Sequence, residues 1–176
     1  EYGYELIERT MGELASGLRG FGHLEEPEVI FDRIVAFFQH ENPLQGKKCL
    51  VTAGPTFEPI DPVRFIGNHS SGLMGVEVAR ALARLGAEVE LVLGPSSIEV
   101  DEDRIHVTHV VTATEMPDAC LKHFPLMDIA VMAAAVADFR PVQFADKKIK
   151  KGQGLASLDL EPTQDILSEL GKTKSD

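Results

Sequence analysis

The chain has 176 residues and a formal net charge of −11, from 17 basic and 28 acidic side chains; 44% of it is apolar and 26% charged. That balance belongs to a globular chain long enough to bury a real core, not to a disordered or collagen-like one. So large an acidic excess argues against a general nucleic-acid surface, which needs clustered cations, so any phosphate site has to be local.

Residues 1–42 read differently from the rest. A glycine-rich stretch with Gly12, Gly17, Gly20 and Gly22 leads to Glu25-Glu26-Pro27-Glu28, where acids and a proline with fixed φ favour a helix start. Ile30, Ile34, Phe37 and Phe38 recur at helical spacing and predict a helix over about 26–39, with an apolar face that wants a partner. The turn-rich stretch from Glu41 to Gly46 then links to a second domain over 43–176.

Cys49 to Ala53 predicts a strand buried on both faces and ending at Gly54-Pro55. Ser70 or Ser71 is placed to cap a helix carrying Met74, Val78, Ala81, Leu82 and Leu85, with Gly86 as its stop. Further strands are expected over 88–93, 105–111 and 128–136, the last as the best buried, and a helix from Thr114 to Phe124. This alternation implies parallel pairing through crossovers, hence a three-layer, doubly wound, mainly parallel α/β sheet of Rossmann-like type. Ligands of such sheets bind beyond the carboxyl ends of the strands, so the residues after Ala53, Leu93, Val111 and Val136 are the informative ones.

A dinucleotide-binding domain would carry GxGxxG directly after the first strand and an acid at the end of the second. Neither is present, which disfavours an NAD(P)-dependent oxidoreductase. The loop after Gly54 makes a long excursion instead and returns as Asn68-His69-Ser70-Ser71-Gly72 at a helix start. Backbone amides, two hydroxyls and glycines there suit an anion, and suit equally a capped helix with no ligand. Asn68 is either a cap or a donor to a developing oxyanion; His69 reads as a helix-start residue rather than a base. Arg64 offers a fork for phosphate or carboxylate, or else a surface ion pair. Ala134 and Ala135 at the last strand end let a ligand lie against the backbone, and Asp138 can hold a ribose hydroxyl or a metal ion. Lys147, Lys148, Lys150 and Lys151 form the densest positive charge, as a solvated face or as a mobile flap over a polyphosphate.

Cys49 and Cys120 lie in apolar stretches with no metal-ligand spacing, so they are expected as buried reduced thiols with no zinc site. No apolar run approaches the roughly 18 residues that span a bilayer, and no leader pattern opens the chain. A cytoplasmic protein without membrane contact is expected. The start at Glu1, in mid-pattern and without Met, suggests a piece of something longer.

Four ordered motifs carry a resemblance. Val51-Thr52-Ala53-Gly54-Pro55-Thr56 with Glu58-Pro59-Ile60-Asp61-Pro62-Val63-Arg64, then Asn68 to Gly72 with Met74-Gly75, then Ala134 to Asp138, then Lys148-Ile149-Lys150-Lys151 are similar to the phosphopantothenoylcysteine synthetase half of the bacterial bifunctional coenzyme A biosynthesis flavoproteins. Residues 1–40 resemble the end of the preceding decarboxylase half. The resemblance implies a ligase in which 4′-phosphopantothenate attacks the α-phosphate of CTP, and cysteine then displaces CMP from the acyl-cytidylate. It implies Mg²⁺ with Asp138 as a metal contact, and Gly54, Ser70, Ser71, Gly72, Ala134, Ala135, Asp138, Lys148 and Lys151 around the nucleotide. Asn68 matches the residue assigned to converting the intermediate, and Lys148 the lysine linked to forming it; Arg64 and Asn68 are taken as substrate contacts. It further implies a homodimer of synthetase domains, a larger assembly through the decarboxylase half when complete, strands beyond residue 176 that complete the sheet, and FMN bound only by a decarboxylase portion outside this chain. Leu14-Ala15-Ser16-Gly17 departs from the family, which commonly has cysteine where Ser16 stands, and serine is a weaker nucleophile and acid than a thiol. A catalytically incomplete nucleotide-binding or assembly module is the alternative.

Overall fold

The computed structural model describes residues 6–13, 17–39, 42–150 and 157–173. The chain divides into two compact units, Glu1–Asn42 and Pro43–Asp176. In the first, β1 (Thr10–Glu13) pairs antiparallel with β2 (Arg19–His23), and α1 (Pro27–Gln39) follows. The glycine-rich stretch is therefore a hairpin, which its lack of strict apolar alternation concealed. Helix α1 begins where the acids and Pro27 place it, with Glu26 O accepting from Ile30 N at 3.0 Å.

The second unit is built on β3 (Lys48–Ala53), whose residues beyond Lys48 are all buried. A small hairpin follows, β4 (Phe57–Pro59) and β5 (Phe65–Gly67), closed by stacked Phe57 and Phe65 rings with centroids 4.0 Å apart. Then come α2 (Leu73–Arg84), β6 (Glu88–Leu93), β7 (Ile105–His109), α3 (Glu115–His123) with a 3₁₀ turn at 124–126, and β8 (Ile129–Met132). β9 (Phe139–Pro141) pairs antiparallel with β10 (Leu160–Pro162), and α4 (Ile166–Thr173) closes the described chain.

The main sheet is parallel in the order β7-β6-β3-β8. One face packs Cys49, Val51, Val89 and Leu91 against Val76 and Ala79 of α2. The other packs Leu50 and Val92 against Met116 and Cys120 of α3 and Ile166 and Leu170 of α4. This is the three-layer α/β arrangement expected of strands whose successive side chains alternate between two covered faces.

Several boundaries move. The strand expected over 105–111 ends at His109, and the one over 128–136 ends at Met132. Far from being the best buried, β8 sits at the edge of the described sheet with Ala130 exposed; Ile129 and Val131 pack at the margin of one core cluster and Met132 at the margin of the other. The serine hydroxyls do not cap α2. Gly72, with φ 81°, is its N-cap residue, and the Oγ atoms of Ser70 and Ser71 accept from Gly72 N at 3.2 Å and Leu73 N at 3.3 Å. Each hydroxyl turns onto the amide two residues on, the local competition serine offers a helix start. The far end of α2 is as expected: Gly86 N donates to Ala83 O and Ala87 N to Leu82 O, at 2.9 and 3.1 Å, the paired bonds of a glycine-closed helix. Helix α3 opens on a reciprocal pair not anticipated. Glu115 N donates to Thr112 Oγ1 (3.2 Å), while the Glu115 carboxylate accepts from Thr112 N (3.2 Å) and Val111 N (2.6 Å).

Candidate functional site

Strand order reverses between β3 and β8, because the chain runs outward through β6 and β7 and then returns to the other side of β3. At such a switch point the loops leave the sheet in opposite directions and open a crevice. The two strand ends are stitched across it. Thr52 Oγ1 accepts from Ala133 N at 3.1 Å and Ala134 N at 3.2 Å, Gly54 O accepts from Ala135 N at 2.8 Å, and Thr56 Oγ1 accepts from Ala137 N at 3.0 Å. Ala133 N also donates to Thr52 O at 3.2 Å, and beyond it the hydroxyls take the amides of Ala134 and Ala137, so 133–137 continues alongside β3 as an irregular ledge.

Glycines pack the opposite side of this crevice. A Cβ on Gly72 would lie 3.1 Å from Gly54 Cα, and one on Gly75 would lie 2.5 Å from Ala53 Cβ and 2.8 Å from Thr52 O. Gly54, at φ 80°, faces Gly94, where a Cβ would run into Pro55 O. Gly54 and Gly72 thus bring α2 onto the end of β3: their lack of a side chain is used by backbone against backbone.

Asn68 follows β5 and reaches across the crevice. Its Nδ2 donates to Val136 O at 2.9 Å and Ala135 O at 3.3 Å. Gly54, Asn68, Gly72, Ala134 and Ala135 therefore converge. Ser70 and Ser71 lie beside them, both exposed, as is His69. Asp138 is exposed at the end of the ledge, on a cavity of about 290 Å³ whose walls include Thr52, Ala134, Val136, Thr163 and Asp165. That cavity is closed by chain arriving 26 residues after Ala137: Thr163 Oγ1 donates to Ala137 O at 2.6 Å, Thr163 N donates to Asp138 O at 2.9 Å, and Asp165 Oδ1 accepts from Ser168 N at 3.0 Å at the start of α4. Thr52, Thr56, Thr163 and Asp165 were missed as site residues. Thr52 and Thr56 flank the strand end already singled out; nothing in the local pattern around Thr163 and Asp165 marks either.

Arg64 is held in an ion pair with Asp61, made through Nε at 3.1 Å and through Nη2. Asp61 is fully buried at its side chain. The Arg64 guanidinium holds its carboxyl well below the usual carboxylate range, against the opposing effect of burial and with help from the amides of Val63, Ile149 and Arg64. Arg64 Nη2 also donates to Ile149 O at 3.1 Å, and Ile149 N donates to Asp61 Oδ2 at 3.1 Å. The backbone between Lys148 and Lys150 is therefore tied to the β4–β5 turn. Lys148 itself is exposed, with no ion-pair partner among the described residues. Lys151 and Ser16 lie outside the described residues.

Residues 44–176 match the family described as DNA/pantothenate metabolism flavoprotein, C-terminal domain. The chain belongs to this family. Over 176 residues it is 44% identical to the coenzyme A biosynthesis bifunctional protein CoaBC of Bacillus subtilis, covering 99% of this chain and 43% of that one. A prokaryotic protein of unidentified organism, named cysteine/cysteine sulfinic acid decarboxylase, is 51% identical over 98% of this chain and 49% of its own length. The chain thus spans about half the length of these relatives. Among solved structures, the C-terminal domain of a CoaBC superposes with a TM-score of 0.66 at 42% identity, covering 76% of this chain and 62% of that one. A single-substitution mutant of Cab2, in complex with phosphopantothenate-cysteine, shares the fold at a TM-score of 0.60 and 19% identity, covering 85% of this chain and 68% of that one.

Among the described residues no helix is long and apolar enough to cross a membrane, and no three His, Cys, Asp or Glu side chains group to hold a metal ion.

Proposed function

We propose that this chain carries the nucleotide-dependent ligation of 4′-phosphopantothenate to cysteine in coenzyme A biosynthesis, with CTP as the activating nucleotide. In the first step a carboxylate oxygen of 4′-phosphopantothenate attacks the α-phosphorus of CTP and pyrophosphate leaves. In the second, the cysteine amine attacks the acyl carbon, CMP leaves and the amine proton passes to solvent. The observation that carries this reading is the convergence of Asn68 with the Ala134–Asp138 ledge at the switch point, beside a cavity of about 290 Å³. The wall of that cavity sets apolar Met132, Ala134, Val136 and Leu167 beside polar Thr52, Thr163 and Gln164, a mixture that suits a nucleoside, with the exposed Asp138 carboxylate for ribose hydroxyls or Mg²⁺. Lys148 supplies a cation for the triphosphate, where charge accumulates on the leaving pyrophosphate.

The donor set also fits Mg²⁺. That ion is commonly held by one or two carboxylates and by substrate phosphates rather than by an all-protein cage, and Asp138 and Asp165 both line the cavity. When bound, Mg²⁺ would offset the charge of the phosphates. We further propose that FMN binds only a decarboxylase portion outside this chain, that the synthetase unit works as a homodimer, and that its compartment is the cytoplasm.

The Nδ2 of Asn68 is engaged by Val136 O at 2.9 Å and Ala135 O at 3.3 Å, so donation to the acyl carbonyl would draw on the longer of these bonds. An Asp at 68 would set a carboxylate against two carbonyl oxygens, so Asn68→Ala is the cleaner variant. The test is pyrophosphate release with cysteine omitted, followed by a cysteine chase, in the longer protein that contains this segment. Lys148→Gln is expected to depress pyrophosphate release; Asn68→Ala is expected to permit it and slow the chase by about 10²–10³, the usual cost of one oxyanion donor. Pyrophosphate release that Asn68→Ala abolishes, with CTP affinity intact, refutes the role of Asn68. Release supported by ATP and not by CTP refutes the nucleotide.

A further inference from the structure

The four-lysine run 147–151 poses a physical problem. Like charges in one short loop repel, and Lys148 has no ion-pair partner among the described residues, yet a lysine that meets a triphosphate has to be presented in one place. The structure meets this through backbone, not side chains. Both polar backbone groups of Ile149, the residue between Lys148 and Lys150, are clamped. Its N–H donates to Asp61 Oδ2 at 3.1 Å, and its C=O accepts from Arg64 Nη2 at 3.1 Å. Four residues earlier, Ala145 N donates to Ile60 O at 3.0 Å. The partner on the other side is the β4–β5 turn, itself rigid. Asp61 Oδ1 accepts from both Val63 N and Arg64 N at 2.9 Å, and the other oxygen carries the Arg64 guanidinium. That same hairpin continues directly into Asn68, which is bonded to Val136 O.

We infer that Asp61, acting with Arg64, is a positioning residue: a buried clasp that fixes the backbone of the lysine segment 148–150 and holds Lys148 in register with Asn68. The inference rests on the ligation reading for the use to which Lys148 is put, but the clasp itself stands on the hydrogen bonds of Ile149. It also gives Arg64 a role other than the substrate contact expected from sequence. Its Nε and Nη2 atoms are committed to Asp61 and Ile149, so its fork faces the protein. The two oxygens of Asp61 divide the work. Oδ1 builds the turn locally, while Oδ2 reaches a residue 88 positions away.

This division makes Asp61→Asn a selective probe. Asparagine keeps a carbonyl oxygen for the amides of Val63 and Arg64, but it puts an NH₂ group where Ile149 N–H and the guanidinium both need an acceptor. Arg64→Gln is the second probe: it removes the guanidinium, 41% exposed at its side chain, and leaves the buried Asp61 carboxylate to the amides of Val63, residue 64 and Ile149. Hydrogen exchange is measured residue by residue on the 176-residue chain without nucleotide, and CTP binding is titrated calorimetrically in Mg²⁺. In Asp61→Asn the Ile149 amide is expected to exchange about tenfold faster or more, the scale set by losing a hydrogen bond to a charged acceptor, while the amides of Lys48–Ala53 keep their protection. Arg64→Gln is expected to shift Ile149 in the same direction by less. CTP affinity is expected to fall in Asp61→Asn by no more than in Lys148→Gln, and the double variant to bind no more weakly than Lys148→Gln alone, because both changes remove one contact. Unchanged exchange at Ile149 in Asp61→Asn overturns the clasp. So do effects of Asp61→Asn and Lys148→Gln that multiply. If Lys148→Gln binds CTP as the unaltered chain does, the nucleotide role of Lys148 fails, and the exchange at Ile149 still decides whether the clasp exists.

Discussion

Glycine to alanine is the smallest possible enlargement, and two helical glycines of this chain should answer it with opposite signs. Gly75 lies in the first turn of α2, where an added Cβ would stand 2.5 Å from Ala53 Cβ, 2.8 Å from Thr52 O and 3.0 Å from Ala53 Cα. Optimal carbon contacts lie near 3.5–4.0 Å, so α2 would have to retreat from β3 by about 1 Å, and two of the three atoms in the way are backbone in the central, buried strand. Overpacking of this kind costs about 1–3 kcal/mol, and the absence of a yielding side chain puts Gly75→Ala at about 3. The helix-propensity gain of alanine, up to about 1 kcal/mol in a helix interior and less in a first turn, offsets only part of it. A net loss of about 2 kcal/mol corresponds to a fall in Tm of about 5–10 °C for a unit of this size. Gly171 in α4 has nothing within 4 Å of its added Cβ. There the propensity and unfolded-state terms act alone, and Gly171→Ala should stabilise by about 0.4–1 kcal/mol. The assay is thermal and urea unfolding of both variants against the unaltered chain. A Gly75→Ala protein as stable as the parent would refute the close approach of α2 to β3, whatever Gly171→Ala does.

Other expectations follow from particular contacts. The folded-state carboxyl of Asp61 is held low, so its contribution is full above the ordinary carboxylate pKa of about 3.9 and is lost progressively as pH falls from there through its depressed folded-state value; the stability of Asp61→Asn should therefore lie beneath that of the parent at pH 7, begin to approach it only below about pH 4, and converge further into acid. Burial pushes the Cys120 thiol up to about 12 and also raises that of Cys49, so a thiol-specific reagent at pH 8 should leave the native chain unmodified and label both cysteines after denaturation. Glu90, buried in β6, accepts from Thr108 Oγ1 at 2.6 Å with His123 Nε2 at 3.5 Å; Thr108→Val removes that donor and should cost about 1–3 kcal/mol in urea unfolding. Leu170→Ala in α4 should cost about 2–5 kcal/mol, since Leu170 is 1% exposed between α4 and the sheet.

What could be read from sequence was the part whose cause is local and periodic. The mainly apolar run at 49–53 announces a strand buried on two faces, the run at 88–93 announces the next strand, and Gly86 announces the end of α2, because each depends on neighbours within a few residues. The edge position of β8 was illegible for the converse reason: an apolar run states that a strand is covered, and says nothing of how many strands lie beside it. The hairpin 57–67 shows the same limit inside one loop. Asp61-Pro62 is a turn-initiating pair, and its acceptance of the Val63 and Arg64 amides was within reach of the sequence. Its bond to Ile149 was not, since nothing in either segment names the other.

At the glycines, close approach was legible in the sequence, and what approaches was not. Glycine after a strand and at a helix start signals close approach, and a ligand is the usual thing approached. Here Gly54, Gly72, Gly75 and Gly94 are filled by one another and by the backbone of 52–55, so the crevice is as much a product of core packing as of any ligand contact. Asn68 and the 133–137 ledge stand on that packed backbone through Gly54 O, Thr52 Oγ1 and Thr56 Oγ1. A side chain at any of these glycines therefore displaces the ledge and the amide of Asn68 together, before it meets substrate. Loss of ligation from such a variant ought to come with loss of thermal stability, whereas loss from Lys148→Gln, at an exposed side chain without an ion-pair partner among the described residues, ought to come with none. Thermal unfolding of the two kinds of variant, set beside their partial reactions, separates packing from chemistry at this site; a stable, fully folded Gly72→Ala chain that fails only in pyrophosphate release would mean that Gly72 meets the nucleotide directly, and that the packing account is wrong.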